Sequence, residues 1–143
     1  MKPGLKKGST SSFRHRIGAE HTVPALYPES RLFQNVPGVF ATGYMVGLME
    51  WACLEHIAPF YEDGEGSLGT HVDVSHVAAT PPGLTVTVET EVTAIDGRFI
   101  WFNVRAHDGV DMIGQGRHQR AMVAWDKFTP RAMAKAAVGE HAR

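Results

Sequence analysis

The clearest pattern along the chain is one strongly apolar helical segment followed by a series of alternating segments. Residues 41–57 place apolar side chains in nearly every direction around a helix, which is typical of a buried helix rather than one at a surface. Thr42 stands where a helix N-cap is expected, and Pro59 ends the segment. The pattern therefore predicts a central buried helix over Ala41 to Ile57.

Apolar and polar residues alternate after this helix, which predicts strands. Asp-Gly pairs at 96–97 and 108–109 indicate two hairpins. The predicted strands are one through 71–76, then Leu84 to Val92, Phe99 to His107 and Met112 to Trp125, with a short one ahead of the helix over Phe13 to Ile17. We therefore predict an α+β fold in which an antiparallel sheet wraps around the central buried helix.

The remaining segments are predicted to lie at the periphery of a single domain, 1–143. Residues 1–12 are rich in Lys, Gly and Ser and predict a flexible start, while the Ala-rich residues 127–143 predict a fraying tail or a short outer helix. The Pro-punctuated stretch 23–38 still carries apolar residues. We expect it to form a loop folded back over the body.

Composition excludes several classes of protein. A net charge of -1 with no Lys/Arg cluster lacks the electrostatic footprint of a nucleic-acid binder. One cysteine excludes an internal disulfide and fits a reducing compartment. No apolar run approaches the roughly 20 residues that span a bilayer, and no signal peptide is visible. We expect a cytoplasmic protein without nucleic-acid or membrane partners.

Two polar residues stand out on predicted interior surfaces. Glu50 lies between Met49 and Trp51 in the apolar helix, where an unpaired carboxylate costs several kcal/mol. His76 shares a predicted strand face with Val72, and that face should meet the helix. The functional interpretation is that the two residues form a catalytic pair. The structural alternative is that Glu50 lies on the solvent-exposed edge of the helix and His76 is a hydrogen-bonded core residue.

Three further residues are candidates for the same site. The hydroxyl of Thr42 either caps the helix or joins an oxyanion site formed by the helix N-terminus. Gly69 either makes a turn or lets backbone approach a ligand closely, and Arg120 points inward or outward with equal plausibility. His71 and His76, five residues apart on a strand, face opposite sides, so no metal site is expected. No phosphate-binding loop or dinucleotide motif indicates a cofactor.

Long runs of the sequence resemble the fluoroacetyl-CoA thioesterase family of hotdog-fold acyl-CoA thioesterases. The similarity extends from about residue 23 to residue 128. It is strongest over four runs: Val39 to Cys53, Gly64 to Thr70, Ala78 to Val88 and Ala106 to Asp111. The resemblance implies a hotdog fold, hydrolysis of a short acyl-CoA such as fluoroacetyl-CoA, and a homodimer with active sites at the subunit interface.

The resemblance also implies roles for individual residues. Thr42, Glu50 and His76 would form the catalytic group, Gly69 would bind near the thioester carbonyl, and Arg120 would support the site. Val23, Leu26 and Phe33 match a small apolar lid over the acyl pocket, whereas Val36 stands where the family has phenylalanine.

Three more functions are compatible with the sequence. A looser lid at Val36 favours a broader short-chain acyl-CoA thioesterase without fluorine selectivity. The second is a non-catalytic acyl-CoA-binding module, and the third is a hydratase or dehydratase acting on acyl thioesters, because hotdog domains serve several functions.

Overall fold

The computed structural model describes residues 1–141 and contains a five-stranded antiparallel sheet packed on one long helix. The strands lie in the order β1-β3-β4-β5-β2. The elements are β1 Thr10–Arg16, α1 Val23–Leu26, α2 Arg31–Gln34, α3 Thr42–Ile57, β2 Glu65–Val74, β3 Thr85–Asp96, β4 Phe99–His107, β5 Met112–Ala124 and α4 Trp125–His141. The predicted sheet wrapped on a central helix is confirmed.

Helix α3 lies across the inner face of the sheet. Its buried side chains, among them Met45, Met49 and Cys53, pack against inward-facing residues of the strands. The inner face of the sheet is formed chiefly by Val86, Val88 and Val92 of β3, Ile100, Phe102 and Val104 of β4, and Ile113 of β5. The opposite side of the helix differs from the prediction of burial all round, because Gly43, Gly47 and Trp51 are exposed, Trp51 by 43%. An exposed apolar stripe of this kind is typical of an interaction surface.

The hairpins form where the Asp-Gly pairs predict them. Gly97 and Gly109 both have positive φ, 58° and 89°, a conformation that glycine adopts without the strain that a side chain would add. The first hairpin pairs Asp96 with Phe99. These turns set the register in which alternate residues of β3 and β4 reach the core.

Both chain ends differ from the sequence predictions. β1 begins at Thr10 rather than Phe13, Leu5 is buried, and the Lys2 amide donates to the Phe60 carbonyl at 2.7 Å. These contacts tie the tract predicted as a flexible start to the body. At the other end α4 forms a helix of 17 residues rather than a short one. Residues 142 and 143 of the predicted tail lie outside the described residues.

His56, near the end of α3, fastens this N-terminal tract to the sheet. Its Nδ1 lies 2.8 Å from Thr90 Oγ1, and its Nε2 lies 2.8 Å from Ser9 Oγ. Burial lowers the pKa of His56 below its ordinary value, as it does for His76 and His118. All three imidazoles are therefore more readily protonated in the unfolded chain than in the folded one.

We expect the free energy of unfolding to fall as the pH drops below about 6.5, the ordinary histidine pKa. Above that pH both states are neutral and the contribution is fully present. Below that pH the unfolded chain binds protons more readily than the folded chain, which lowers the free energy of unfolding. Replacing His56 with leucine should make this decline shallower, which urea unfolding at pH 7.5 and pH 5.5 would measure. Identical losses in both proteins would contradict this role of His56.

Candidate active site

The first part of the candidate site lies at the beginning of α3. Thr42 is the first helical residue, and its hydroxyl Oγ1 lies 2.8 Å from Nδ1 of His76. The expected capping role is wrong, because Ala41 is the N-cap and no side chain caps the helix. His76 follows the end of β2 by two residues. We call Thr42 and His76 the histidine pair.

His76 has the properties of a base. Its Nε2 is buried and finds no hydrogen-bond partner among the described residues, which is uncommon for a buried polar atom outside functional sites. Burial lowers the pKa of the imidazole below its ordinary value, so the ring is neutral at neutral pH. The neutral ring accepts a proton either from the Thr42 hydroxyl at Nδ1 or from another group at Nε2, depending on its tautomer.

The second part lies farther along the same helix. Oε1 of Glu50 is 3.7 Å from Nη1 of Arg120, and the Glu50 side chain is 44% exposed while that of Arg120 is buried. A Cβ atom placed on Gly69 would come within 2.6 Å of Glu50 Oε1. A side chain at Gly69 would therefore collide with the carboxylate. We call Glu50, Gly69 and Arg120 the carboxylate group.

Arg120 points inward, which the sequence left open. Its Nε donates to Ser67 Oγ at 2.8 Å, and its Nη2 donates to the Ser67 carbonyl at 2.9 Å. Its Nη1 lies 3.1 Å from Nε2 of His118. The contacts of Ser67 and His118 with Arg120 were not predicted from the sequence. The signal for His118 was its spacing, because residues two apart on a strand face the same side.

The buried thiol of Cys53 lies one helical turn beyond Glu50. Burial raises the pKa of Cys53 to about 12, an effect that the positive charge of Arg120 opposes. The thiolate is the nucleophilic form of cysteine. Cys53 therefore stays protonated and does not compete with Glu50 as a nucleophile.

Within one chain the two groups are separate. Thr42 and Glu50 are eight residues apart on α3, which corresponds to about 12 Å along the helix axis. No hydrogen bond or ion pair joins Glu50 to His76 within residues 1–141. The expectation that these two side chains face each other is not met inside one chain. The predicted inward orientation of Val72 is also wrong, since Val72 is 47% exposed near the end of β2.

The segment predicted as a lid lies beside the beginning of α3. Instead of an irregular loop it contains two one-turn helices, with Val23 and Leu26 on α1 and Phe33 on α2. A Cβ atom on Gly43 would lie 3.0 Å from Leu26 Cδ2, so the lid rests directly beside Thr42. Val36 follows α2 and is 38% exposed.

No group of three or more His, Cys, Asp or Glu side chains in the described part of the chain is arranged to hold a metal ion. Among the helices of residues 1–141, none is both long and apolar enough to cross a membrane.

Comparison with known proteins identifies the family to which this architecture belongs. A family model described as fluoroacetyl-CoA-specific thioesterase matches residues 19–126. The fluoroacetyl-CoA thioesterase of Streptantibioticus cattleyicolor is 50% identical over 139 residues, which cover 97% of this chain and 100% of that protein. A solved structure of a fluoroacetyl-CoA thioesterase superposes with a TM-score of 0.91 at 51% identity, covering 92% of this chain and 98% of that one.

Other solved structures extend the comparison. A phenylalanine-to-alanine variant of the fluoroacetyl-CoA-specific thioesterase, solved with fluoroacetate and CoA, matches with a TM-score of 0.85 and 52% identity over 87% of this chain and 99% of that one. A Thermus thermophilus member of the thioesterase superfamily matches with a TM-score of 0.83 and 27% identity over 99% of both chains. The chain has the hotdog fold and belongs to the family of fluoroacetyl-CoA-specific thioesterases, which are thioester hydrolases.

Proposed function

We propose that this chain is a single-domain thioesterase that hydrolyses fluoroacetyl-CoA to fluoroacetate and free CoA. The observation that carries the proposal is the hydrogen-bonded pair of Thr42 and His76 at the beginning of α3, in a chain matched to this family over nearly its full length. We assign Thr42, Glu50 and His76 as the catalytic group, with Gly69 and Arg120 as binding residues. The lid residues Val23, Leu26, Phe33 and Val36 would enclose the acyl group.

In the first route, a side-chain base activates water. His76, neutral at neutral pH because burial lowers its pKa, or the Glu50 carboxylate removes a proton from a water molecule that attacks the thioester carbonyl. The amides at the beginning of α3 are available to stabilise the resulting oxyanion. Collapse of the tetrahedral intermediate expels the CoA thiolate, which takes up a proton.

In the second route, Glu50 is the nucleophile. Its carboxylate attacks the carbonyl carbon, CoA thiolate leaves, and the mixed anhydride is hydrolysed by water that His76 activates. The 44% exposure of the Glu50 side chain supports this route. Oxygen-18 found in the Glu50 side chain after a single turnover in labelled water would establish this route, because attack of water on the carboxyl carbon of Glu50 leaves the label there. Label in fluoroacetate alone would exclude hydrolysis of the anhydride at that carbon.

We also propose that the enzyme is a homodimer with active sites at the interface. Three observations support this: the exposed apolar stripe on α3, the exposure of residues 70–73 on edge strand β2, and the separation of the histidine pair from the carboxylate group. An unprotected edge strand is a ready surface for pairing with a second copy. Sedimentation equilibrium would measure the mass, and a monomer at assay concentrations would contradict the proposal.

The first functional test is thiol release from fluoroacetyl-CoA and acetyl-CoA, measured side by side as kcat/KM. We expect turnover of fluoroacetyl-CoA, and preference over acetyl-CoA would establish a detoxifying enzyme. Equal hydrolysis of both would support a broader short-chain thioesterase. Binding of either thioester without thiol release would support a non-catalytic module, and a change in double-bond absorbance would support a hydratase or dehydratase.

Replacing Val36 with phenylalanine should increase the preference for fluoroacetyl-CoA. Val36 is smaller than the family residue and is partly exposed in the lid, and one small group in a pocket changes discrimination by about 10- to 200-fold. We expect the ratio of kcat/KM values to rise by about tenfold. Val110→Phe, at an exposed position outside the lid residues, is the matched control. An unchanged ratio in Val36→Phe would show that this lid position does not set selectivity.

We propose a cytoplasmic location, supported by the single cysteine and its fit to a reducing compartment. Fractionation of expressing cells would test it.

A further inference from the structure

Arg120 is a buried cation whose orientation is fixed by three hydrogen bonds. Ser67 accepts from Nε and, through its carbonyl, from Nη2, while Nη1 points to His118 Nε2 at 3.1 Å. Glu50 lies on the same Nη1 at 3.7 Å, beyond hydrogen-bond distance. The His118 contact is therefore the one that fixes the guanidinium nitrogen facing the carboxylate.

The surroundings of His118 determine its tautomer. Its Nδ1 lies 2.8 Å from the carbonyl oxygen of His71, and because a carbonyl only accepts, Nδ1 must carry the hydrogen. In a neutral imidazole the other nitrogen, Nε2, then has a free lone pair. That lone pair is the acceptor that Arg120 Nη1 requires.

An irregularity in β2 supplies the carbonyl. Gly69 pairs with Arg120 and His71 pairs with Gln119, so Thr70 is an extra residue and the register shifts. A bulge of this kind redirects the backbone locally. Gly69, against which the Glu50 carboxylate packs, and His71, whose carbonyl fixes His118, therefore flank the same bulge.

Burial is the main reason that His118 favours its neutral form. Arg120 from β5, Glu50 from α3 and His71 from β2 face it. Burial lowers the pKa of His118 and the positive charge of Arg120 lowers it further, which together outweigh the His71 carbonyl and the Glu50 carboxylate, both of which raise it. Protonation would remove the acceptor and place two cations against each other.

We propose that His118 is a positioning residue for thioester hydrolysis: with its hydrogen held on Nδ1 by the His71 carbonyl, it holds the Arg120 guanidinium in place beside Gly69 and so sets the position of the Glu50 carboxylate. This inference rests on the proposed catalytic role of Glu50. His118 acts through Arg120 rather than on the substrate.

Two amide substitutions separate the two hydrogen bonds of His118. His118→Gln places an amide oxygen near the former Nε2 and keeps an acceptor for Arg120. His118→Asn places an amide nitrogen near the former Nδ1 and keeps a donor for the His71 carbonyl. We expect Gln to retain kcat within about threefold and Asn to lose about 10- to 100-fold, the range found when a supporting hydrogen bond to a site residue is removed.

The expected loss in His118→Asn is in kcat rather than KM, with thermal stability similar in both variants. A packing role alone would lower stability without separating Asn from Gln in kcat. Equal kcat in the two variants, or a lower kcat in Gln than in Asn, would overturn the proposal.

A second measurement does not depend on activity. Long-range proton–nitrogen NMR spectra of the imidazoles in the whole protein at pH 7 should show His118 neutral with its hydrogen on Nδ1. An imidazolium or the Nε2–H tautomer would overturn the positioning role. Absence of thiol release from wild-type protein with the expected tautomer present would instead refute the proposed function and leave the hydrogen-bond geometry intact.

Discussion

Replacing Glu50 with glutamine is expected to lower kcat on fluoroacetyl-CoA by about 10²- to 10⁴-fold, the usual contribution of a catalytic acid–base group. Glutamine keeps the size of the side chain, so the contact beside Gly69 is preserved. It lacks the negative charge, so it neither removes a proton from water nor attacks the thioester. We expect KM to change little, because Glu50 acts on the reacting carbonyl rather than on the CoA moiety.

Glu91→Gln is the matched control for this experiment. Glu91 is exposed on β3, outside both parts of the site. Its substitution should leave kcat within about twofold, as is usual for surface changes away from a site. Near-full turnover by Glu50→Gln would remove Glu50 from both proposed routes. Thiol release under saturating substrate, together with sedimentation to verify assembly, provides the measurement.

Replacing His76 with alanine is expected to cause a loss of the same order, about 10²- to 10⁴-fold in kcat. The imidazole is the proposed base next to Thr42, and alanine leaves that hydroxyl without its partner. Burial lowers the pKa of His76, so wild-type kcat/KM should decline on acidification with a midpoint below 6.5, the ordinary histidine value. Residual activity in His76→Ala should lack that decline.

His107→Ala serves as the control for His76. His107 pairs with Glu89 at 3.4 Å at the end of β4, outside both parts of the site. It should leave kcat and the pH profile unchanged. An acid decline that persists in His76→Ala would assign that titration to another group.

Mixing the two inactive variants tests the interface proposal. If each site takes Glu50 from one chain and His76 from its partner, a heterodimer of Glu50→Gln and His76→Ala contains one intact site and one doubly altered site. Mixing under subunit exchange should then restore a substantial part of the wild-type activity. If both residues act within one chain, the heterodimer contains no intact site and the mixture stays inactive.

The sequence alone predicted the central helix, the hairpins and the order of the strands along the chain. Helix α3 matched its predicted bounds to within one residue, because apolar residues in every direction are hard to reconcile with another element and Pro59 limits the end. The hairpins at Gly97 and Gly109 follow from local turn chemistry. Such features depend on neighbours in sequence, so periodicity and turn residues suffice to predict them.

Features governed by distant residues were not predictable in the same way. Leu5 packs into the core from a tract whose composition indicated flexibility. Thr42 does not cap the helix; its hydroxyl instead contacts His76, which is 34 residues away in the sequence. A tertiary contact overrides local conformational propensity wherever it stabilises a different conformation more strongly.

The same distinction between local pattern and tertiary contact applies to the candidate site. The sequence singled out Glu50 and His76, because a carboxylate or an imidazole among apolar residues costs free energy unless it is paired or hydrogen-bonded. Only the tertiary structure decided that Arg120 points inward, that His118 supports it, and that Gly69 belongs to a bulge against Glu50. Those facts depend on strand register and on which side chains meet across elements. The pattern of residues along one chain does not contain that geometry.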